Sequence, residues 1–119
     1  MSAISLSLIV LRAANPATLA AFYAHLGLNF VKHRHGNGPE HFSAELDHGV
    51  VFEVYPLQER QSGTETTRIG FAVESVDLAF ATLIQAGARA VSPPASSEWG
   101  RRAVIDDPSG HRCELTEFK

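Results

Sequence analysis

The 119-residue sequence holds one cysteine, Cys113, one tryptophan, Trp99, and one methionine. A lone thiol excludes an intrachain disulfide, and a reducing, cytoplasmic setting is the simple expectation. Basic charge is also scarce. Ten Lys and Arg stand against thirteen Asp and Glu, for a formal net charge of −3, so there is no electrostatic footprint for nucleic acid. The densest basic stretch, Lys32 to His35, needs protonated histidines to become strongly positive. Long apolar runs are missing as well. Ala3 to Ala14 is mostly apolar, but Arg12 interrupts it, nothing basic precedes it, and it is too short to cross a bilayer. It is expected to be a strand, and no membrane partner is expected. No Ser-His-Asp order, no lysine in an apolar run and no phosphate loop is visible. Gly36 and Gly38 lack the strand-then-helix setting of a dinucleotide site.

The 45% apolar and 19% charged residues are ordinary for a globular chain. The length allows one domain, two very small ones, or two half-domains sharing an interface. Ile4 to Arg12 is rich in β-branched and aliphatic residues and ends at Asn15-Pro16, a helix cap followed by a favoured first-turn proline. Leu19, Phe22, Tyr23 and Leu26 recur at the spacing of one helical face, and Gly27 is a stop signal. Phe30 to Arg34, His41 to Leu46 and Val50 to Tyr55 read as strands, the last two joined by a tight turn at Asp47-His48-Gly49. A polar linker, 58–66, follows.

The pattern then restarts. Thr67 to Val73 reads as a strand, and Ser75 or Asp77 opens a helix carrying Phe80, Leu83 and Ile84, stopped at Gly87. Ala88 to Val91 is a short strand, and Pro93-Pro94 begins a loop containing Trp99. Arg102 to Asp106 and His111 to Phe118 close the series around a Pro108-Ser109-Gly110 turn. A shift of about sixty positions lays Ile9 on Ile69, Leu11 on Phe71 and Gly27 on Gly87; one further residue lays Glu53 on Glu114. The expectation is an α+β fold of two βαβββ modules. They span about 3–57 and 67–118 of one domain covering 1–119, and form a half-open cup with helices outside. A single sandwich with chance likeness between its halves is the alternative.

Strand residues alternate faces. Ile9 and Leu11 share one face of the first strand, and Leu8, Val10 and Arg12 share the other. In the repeat, Ile69, Phe71 and Val73 oppose Arg68, Gly70 and Ala72. The more apolar set is expected to cover the helix. Glu53 falls with Val51 and Tyr55, and Glu114 with Arg112 and Thr116. The two carboxylates either line a shared cup or face solvent at sheet edges. Cys113 alternates away from Glu114 and is expected to pack as a small apolar residue. His33 and His35 share a strand face, and His41 lies across the turn; three imidazoles near Glu40 or Glu45 offer an alternative zinc site, at a spacing matching no standard signature. Trp99 with Arg101 and Arg102 suits either a ligand-cup rim or a dimer interface.

Ser7-Leu8-Ile9-Val10-Leu11-Arg12, Phe22-Tyr23 and Leu26-Gly27-Leu28 resemble the opening of the vicinal-oxygen-chelate superfamily. Asp106-Asp107-Pro108-Ser109-Gly110-His111-Arg112-Cys113-Glu114-Leu115 resembles its closing signature. That superfamily includes glyoxalase I, bleomycin- and fosfomycin-resistance proteins and extradiol dioxygenases. The resemblance implies paired modules, a homodimer and a ligand cup. It places metal-ligand positions at Leu8, Glu53, Arg68 and Glu114. Leucine cannot ligate, and a guanidinium stays protonated, so the usual metal is expected to be missing and no cofactor is expected. Arg68 is either an ordinary surface arginine or a partner that balances Glu114.

The reading this supports is a metal-independent protein that binds a small organic molecule, an anionic one if arginines meet it. Leu8, Arg12, Tyr55, Arg68, Trp99 and Arg102 are the candidate ligand contacts, and Glu53 and Glu114 the candidate catalytic groups. The competing readings are a lyase, isomerase or dioxygenase using a divalent metal, and metal-free acid–base chemistry at the two glutamates.

Overall fold

The computed structural model of the chain describes residues 3–118. Two compact units divide it, the first ending at Ser62 and the second starting at Gly63.

In the first unit, β1 (Leu8–Ala13) leads into α1 (Pro16–Ala24), then β2 (Val31–His33), β3 (His41–Glu45) and β4 (Val51–Pro56). The sheet order is β1-β4-β3-β2. Only the β1–β4 pair is parallel. That is the pairing a helical crossover permits, whereas the short turns between the later strands impose antiparallel neighbours. The helix starts where its cap chemistry lies: the Asn15 side chain accepts the Thr18 N–H at 3.1 Å, and Pro16 fills the first position. Its inward face buries Leu19, Phe22 and Tyr23, and the sheet answers with Leu11, Phe52 and Val54. The Tyr23 and Phe52 rings meet edge to face, with centroids 5.2 Å apart. Each fully buried aliphatic or aromatic side chain contributes roughly 1.5–3 kcal/mol. Between β3 and β4, the Leu46 N–H donates to the Val50 carbonyl at 2.7 Å, and His48 and Gly49 turn the chain at φ 65° and 77°.

The second unit repeats this order with β5 (Arg68–Val73), α2 (Val76–Gln85), β6 (Arg89–Ser97), β7 (Gly100–Asp106) and β8 (Arg112–Glu117). Its sheet runs β5-β8-β7-β6, again with only the crossover pair, β5–β8, parallel. Of the two expected helix openers, Ser75 is the cap: its Oγ accepts the Leu78 N–H at 3.2 Å. At the far end the Ala88 N–H reaches the Leu83 carbonyl and the Gly87 N–H the Ile84 carbonyl, with Gly87 at φ 111°. This pair of bonds defines a Schellman stop, which needs a residue in a positive-φ conformation. Ile69, Val76, Leu83, Ile105, Cys113 and Leu115 form the core of this unit. The fold is therefore α+β, two βαβββ modules each with a four-stranded mixed sheet.

Three strands differ most from the sequence reading. β1 begins at Leu8 rather than Ile4, because parallel pairing starts with Leu8 opposite Val51. β6 runs from Arg89 to Ser97, straight through Pro93-Pro94, where a loop was expected. It is the edge strand of its sheet, and its register to β7 shifts between Ala90 and Ser92 and again between Ser92 and Ala95. An edge strand with bulges tolerates prolines that a central strand would reject. β7 is correspondingly longer, and Glu98-Trp99 is a two-residue hairpin turn closed by Ser97 opposite Gly100.

Candidate functional site

The alternation read from β1 holds: Leu11 and Ala13 are buried under α1, while Leu8, Val10 and Arg12 look from the other face of the sheet. Strand register then arranges this second face in transverse rows. One row pairs Val10 with Glu53, Glu53 with Ser43, and Ser43 with Val31. The next row holds Arg12 opposite Tyr55, then His41 and His33 opposite one another. Its side chains are planar and stack. The Arg12 guanidinium lies 5.4 Å from the Tyr55 ring centroid. The Tyr55 and His41 rings are 4.0 Å apart and nearly parallel, at 8°. His33 and His35 follow at 6.1 and 5.1 Å from His41.

Glu53 sits at the junction of the two rows. Ser43 Oγ donates to Glu53 Oε2 at 3.2 Å, and His41 Nε2 lies 3.7 Å from the same oxygen. His41 is only 1% exposed. Its Nδ1 donates to the Pro39 carbonyl at 3.2 Å, whereas its buried Nε2 has no hydrogen-bond partner. Burial raises the Tyr55 hydroxyl above its ordinary pKa, the nearby Glu53 charge adds to this, and the Arg12 cation opposes it. Arg12 also reaches the Pro56 carbonyl at 3.5 Å and the Gln61 side-chain oxygen at 3.3 Å.

In the second unit, Glu114 lies on β8 between two guanidinium groups. Arg68 Nε on β5 donates to Oε2 at 2.6 Å, and Arg102 Nε on β7 donates to Oε1 at 2.5 Å. These bonds hold the Glu114 carboxyl below the usual glutamate value, the Arg68 bond most of all, then that of Arg102. Of the two readings of Arg68, the partner of Glu114 is the one seen, and Arg102 takes the second oxygen. A neighbouring cluster repeats the theme, with Asp106 taking both Arg112, at 3.1 Å, and Arg89. The Asp106 carboxyl is likewise held low, first by Arg112. An open cavity of about 360 Å³ is lined by Glu65, Thr66, Arg68, Asp106, Gly110 and Arg112.

Sequence reasoning passed over a buried chain beneath the closing turn. His111 Nδ1 donates to Asp107 at 2.9 Å, and its Nε2 meets the Thr64 hydroxyl at 2.6 Å. Asp107 also accepts the Ser109 and His111 backbone N–H groups. The Asp-Pro-Ser-Gly-His spacing carries this turn; the partner from the linker, Thr64, leaves no local signal. Ser43 was also passed over, although antiparallel register opposite Glu53 could have located it.

The other residues singled out from the sequence are now placed. Leu8 is 50% exposed at the start of β1, and Trp99 is 80% exposed at the tip of the β6–β7 hairpin. Arg102 lies within β7, opposite Thr116. His33, His35 and His41 do gather, but as stacked rings, with His33 and His35 inclined by only 3°. Ring nitrogens bind metals in the ring plane, so stacked rings aim their lone pairs side by side. Among the described residues no three His, Cys, Asp or Glu side chains are arranged to hold a metal ion. Likewise, no described helix is long and apolar enough to cross a membrane.

Residues 8–116 match the model of the glyoxalase-like domain family, and the chain belongs to that family, within the vicinal-oxygen-chelate superfamily. None of the curated protein sequences compared with the chain matches it. Solved structures share the fold at low identity. TnmS3, an antibiotic-binding protein from Streptomyces sp. CB03234, superposes with a TM-score of 0.78 at 20% identity, covering 100% of both chains. A glyoxalase-related enzyme from Fulvimarina pelagi gives 0.76 at 20% identity, over 96% of this chain and 88% of that one. A glyoxalase/bleomycin resistance protein/dioxygenase family enzyme from Burkholderia phytofirmans PsJN gives 0.76 at 16% identity, over 96% and 98%. At these identities the likeness speaks for the fold alone.

Proposed function

We propose that this chain binds a small organic molecule, in the manner of the bleomycin-resistance branch of its superfamily, without a metal at the superfamily's usual positions. The observation that carries the reading is the state of Glu114. Each of its oxygens accepts a hydrogen bond from an arginine of the same sheet. A carboxylate so neutralised has little charge left for a cation, and two fixed guanidinium groups beside it repel one. Leu8, at the matching position of the first strand, supplies no donor atom. The residues present therefore do not fit the divalent ion that the superfamily commonly holds. The first module offers an organic surface instead. Leu8 and Val31, at 50% and 56% exposed, lie on the same sheet face as Glu53 and the stacked Tyr55–His41 pair. Exposed apolar side chains around a few aimed polar groups are the usual makings of a small-molecule site.

Metal content after purification without chelators, followed by melting with Ni, Zn, Mn and Fe(II) salts, tests the reading. Expected are substoichiometric metal and unchanged melting with each salt, but a raised midpoint with metal-free bleomycin or doxorubicin. Stoichiometric metal that disappears in Glu53→Ala would overturn it, as would the absence of any shift with either compound.

A further inference from the structure

A buried polar atom without a partner costs free energy that a ligand can recover. His41 Nε2 is such an atom. Its ring is fixed on three sides: Tyr55 stacks on it at 4.0 Å, Pro39 accepts from Nδ1, and the β3 backbone holds its Cα. The Pro39 carbonyl can only accept, so Nδ1 carries a hydrogen, and in the uncharged ring Nε2 presents a lone pair. Beside it at 3.7 Å stands Glu53 Oε2, too far for a direct hydrogen bond. Two acceptors thus lie side by side, and Ser43 Oγ–H adds a single donor to the glutamate.

Deepening the ligand-binding reading above, on which this step rests, we propose that His41 Nε2 and Glu53 Oε2 form a two-acceptor site for a planar amidinium or guanidinium group. The geometry admits this class. Two parallel N–H bonds on one carbon need to splay only slightly to reach acceptors 3.7 Å apart. A carboxylate as one of the acceptors favours a cation over a neutral amide. The surroundings suit a flat group, because the adjoining row already holds the Arg12 guanidinium over the Tyr55 ring. Val10 and Val31, which flank Glu53 and Ser43 in register, supply the apolar walls for the ligand's body. The ligand enters by displacing the His33 and His35 rings, which are exposed and packed beside His41.

Benzamidine is the probe, with benzoate and toluene as controls of equal body and different head. At about pH 8, where histidine is ordinarily uncharged, benzamidine is titrated into protein labelled with ¹⁵N on its imidazoles. The expected result is movement of the His41 Nε2 resonance with benzamidine alone, and binding at least roughly tenfold tighter than that of either control. His41→Phe keeps the stack on Tyr55 but removes the acceptor, and Glu53→Gln removes the charge; each is expected to weaken benzamidine binding roughly tenfold. Should a variant not fold, the resonance shift in the unaltered protein still decides. Equal binding of benzamidine and benzoate, a stationary His41 resonance, or a buried water as the only occupant of Nε2 would each overturn the two-acceptor site. Those outcomes leave the broader binding reading standing; it falls by the metal and melting measurements instead.

Discussion

Replacing Glu114 by glutamine keeps the shape of the side chain and removes its charge. In the native chain each oxygen accepts from one guanidinium, Arg68 on one side and Arg102 on the other. Both arginines are about half exposed, so solvent and salt screen these pairs, and each is worth at most about 1 kcal/mol. The substitution also leaves two like charges facing a neutral amide, which places the total near the top of the range. A loss of about 1–2 kcal/mol at neutral pH follows. The sign of the pH dependence is fixed by the direction of the shift. The Glu114 carboxyl is held below its ordinary value of 4.5, so the unfolded chain takes up the proton first as pH falls. The stabilisation is therefore complete above about 4.5 and vanishes as pH drops through the folded-state value. Urea unfolding of both proteins across this window measures it. The Asp106 cluster titrates in both and cancels in the difference. The expected result is a gap that is constant at neutral pH, closes in acid and shrinks in high salt. A gap that persists unchanged at the lowest pH would show that packing, not the ion pairs, holds Glu114, and would remove the main support for a neutralised carboxylate.

Two further outcomes are expected. His111→Ala removes the buried ring that joins the Asp107 carboxylate to the Thr64 hydroxyl, and should cost about 2 kcal/mol or more; chemical denaturation and hydrogen exchange at the closing turn read the loss. The Tyr55 hydroxyl should titrate above 10.0, and Arg12→Ala should raise it further, because the Arg12 cation is the influence pulling it down. Since the folded state holds that proton more tightly, stability at Tyr55 is present below 10.0 and declines as pH rises past it. Ultraviolet titration against Tyr55→Phe isolates this group, and an unshifted or lowered value contradicts the proposed burial.

The composition bounds, the duplicated order of elements, the helix caps at Asn15 and Ser75 and the inward faces of β1 and β5 were all legible in the residues. Each depends on neighbours within a few positions: a cap reaches three residues ahead, and alternation needs only the next residue but one. The closing Asp-Pro-Ser-Gly-His turn was legible for the same reason. What lay beyond local pattern was decided by pairing between strands. Edge position allowed β6 to continue through two prolines. Register set Ser43 beside Glu53, stacked three histidines rather than converging them, and shared Glu114 between Arg68 and Arg102. Residues tens of positions apart are brought to hydrogen-bond distance by the sheet, and no periodicity in one strand records where its partner will stop. The sequence alone thus determined which residues face which side, while tertiary structure decided which of them meet, because burial is a property of one strand's pattern and contact is a property of two.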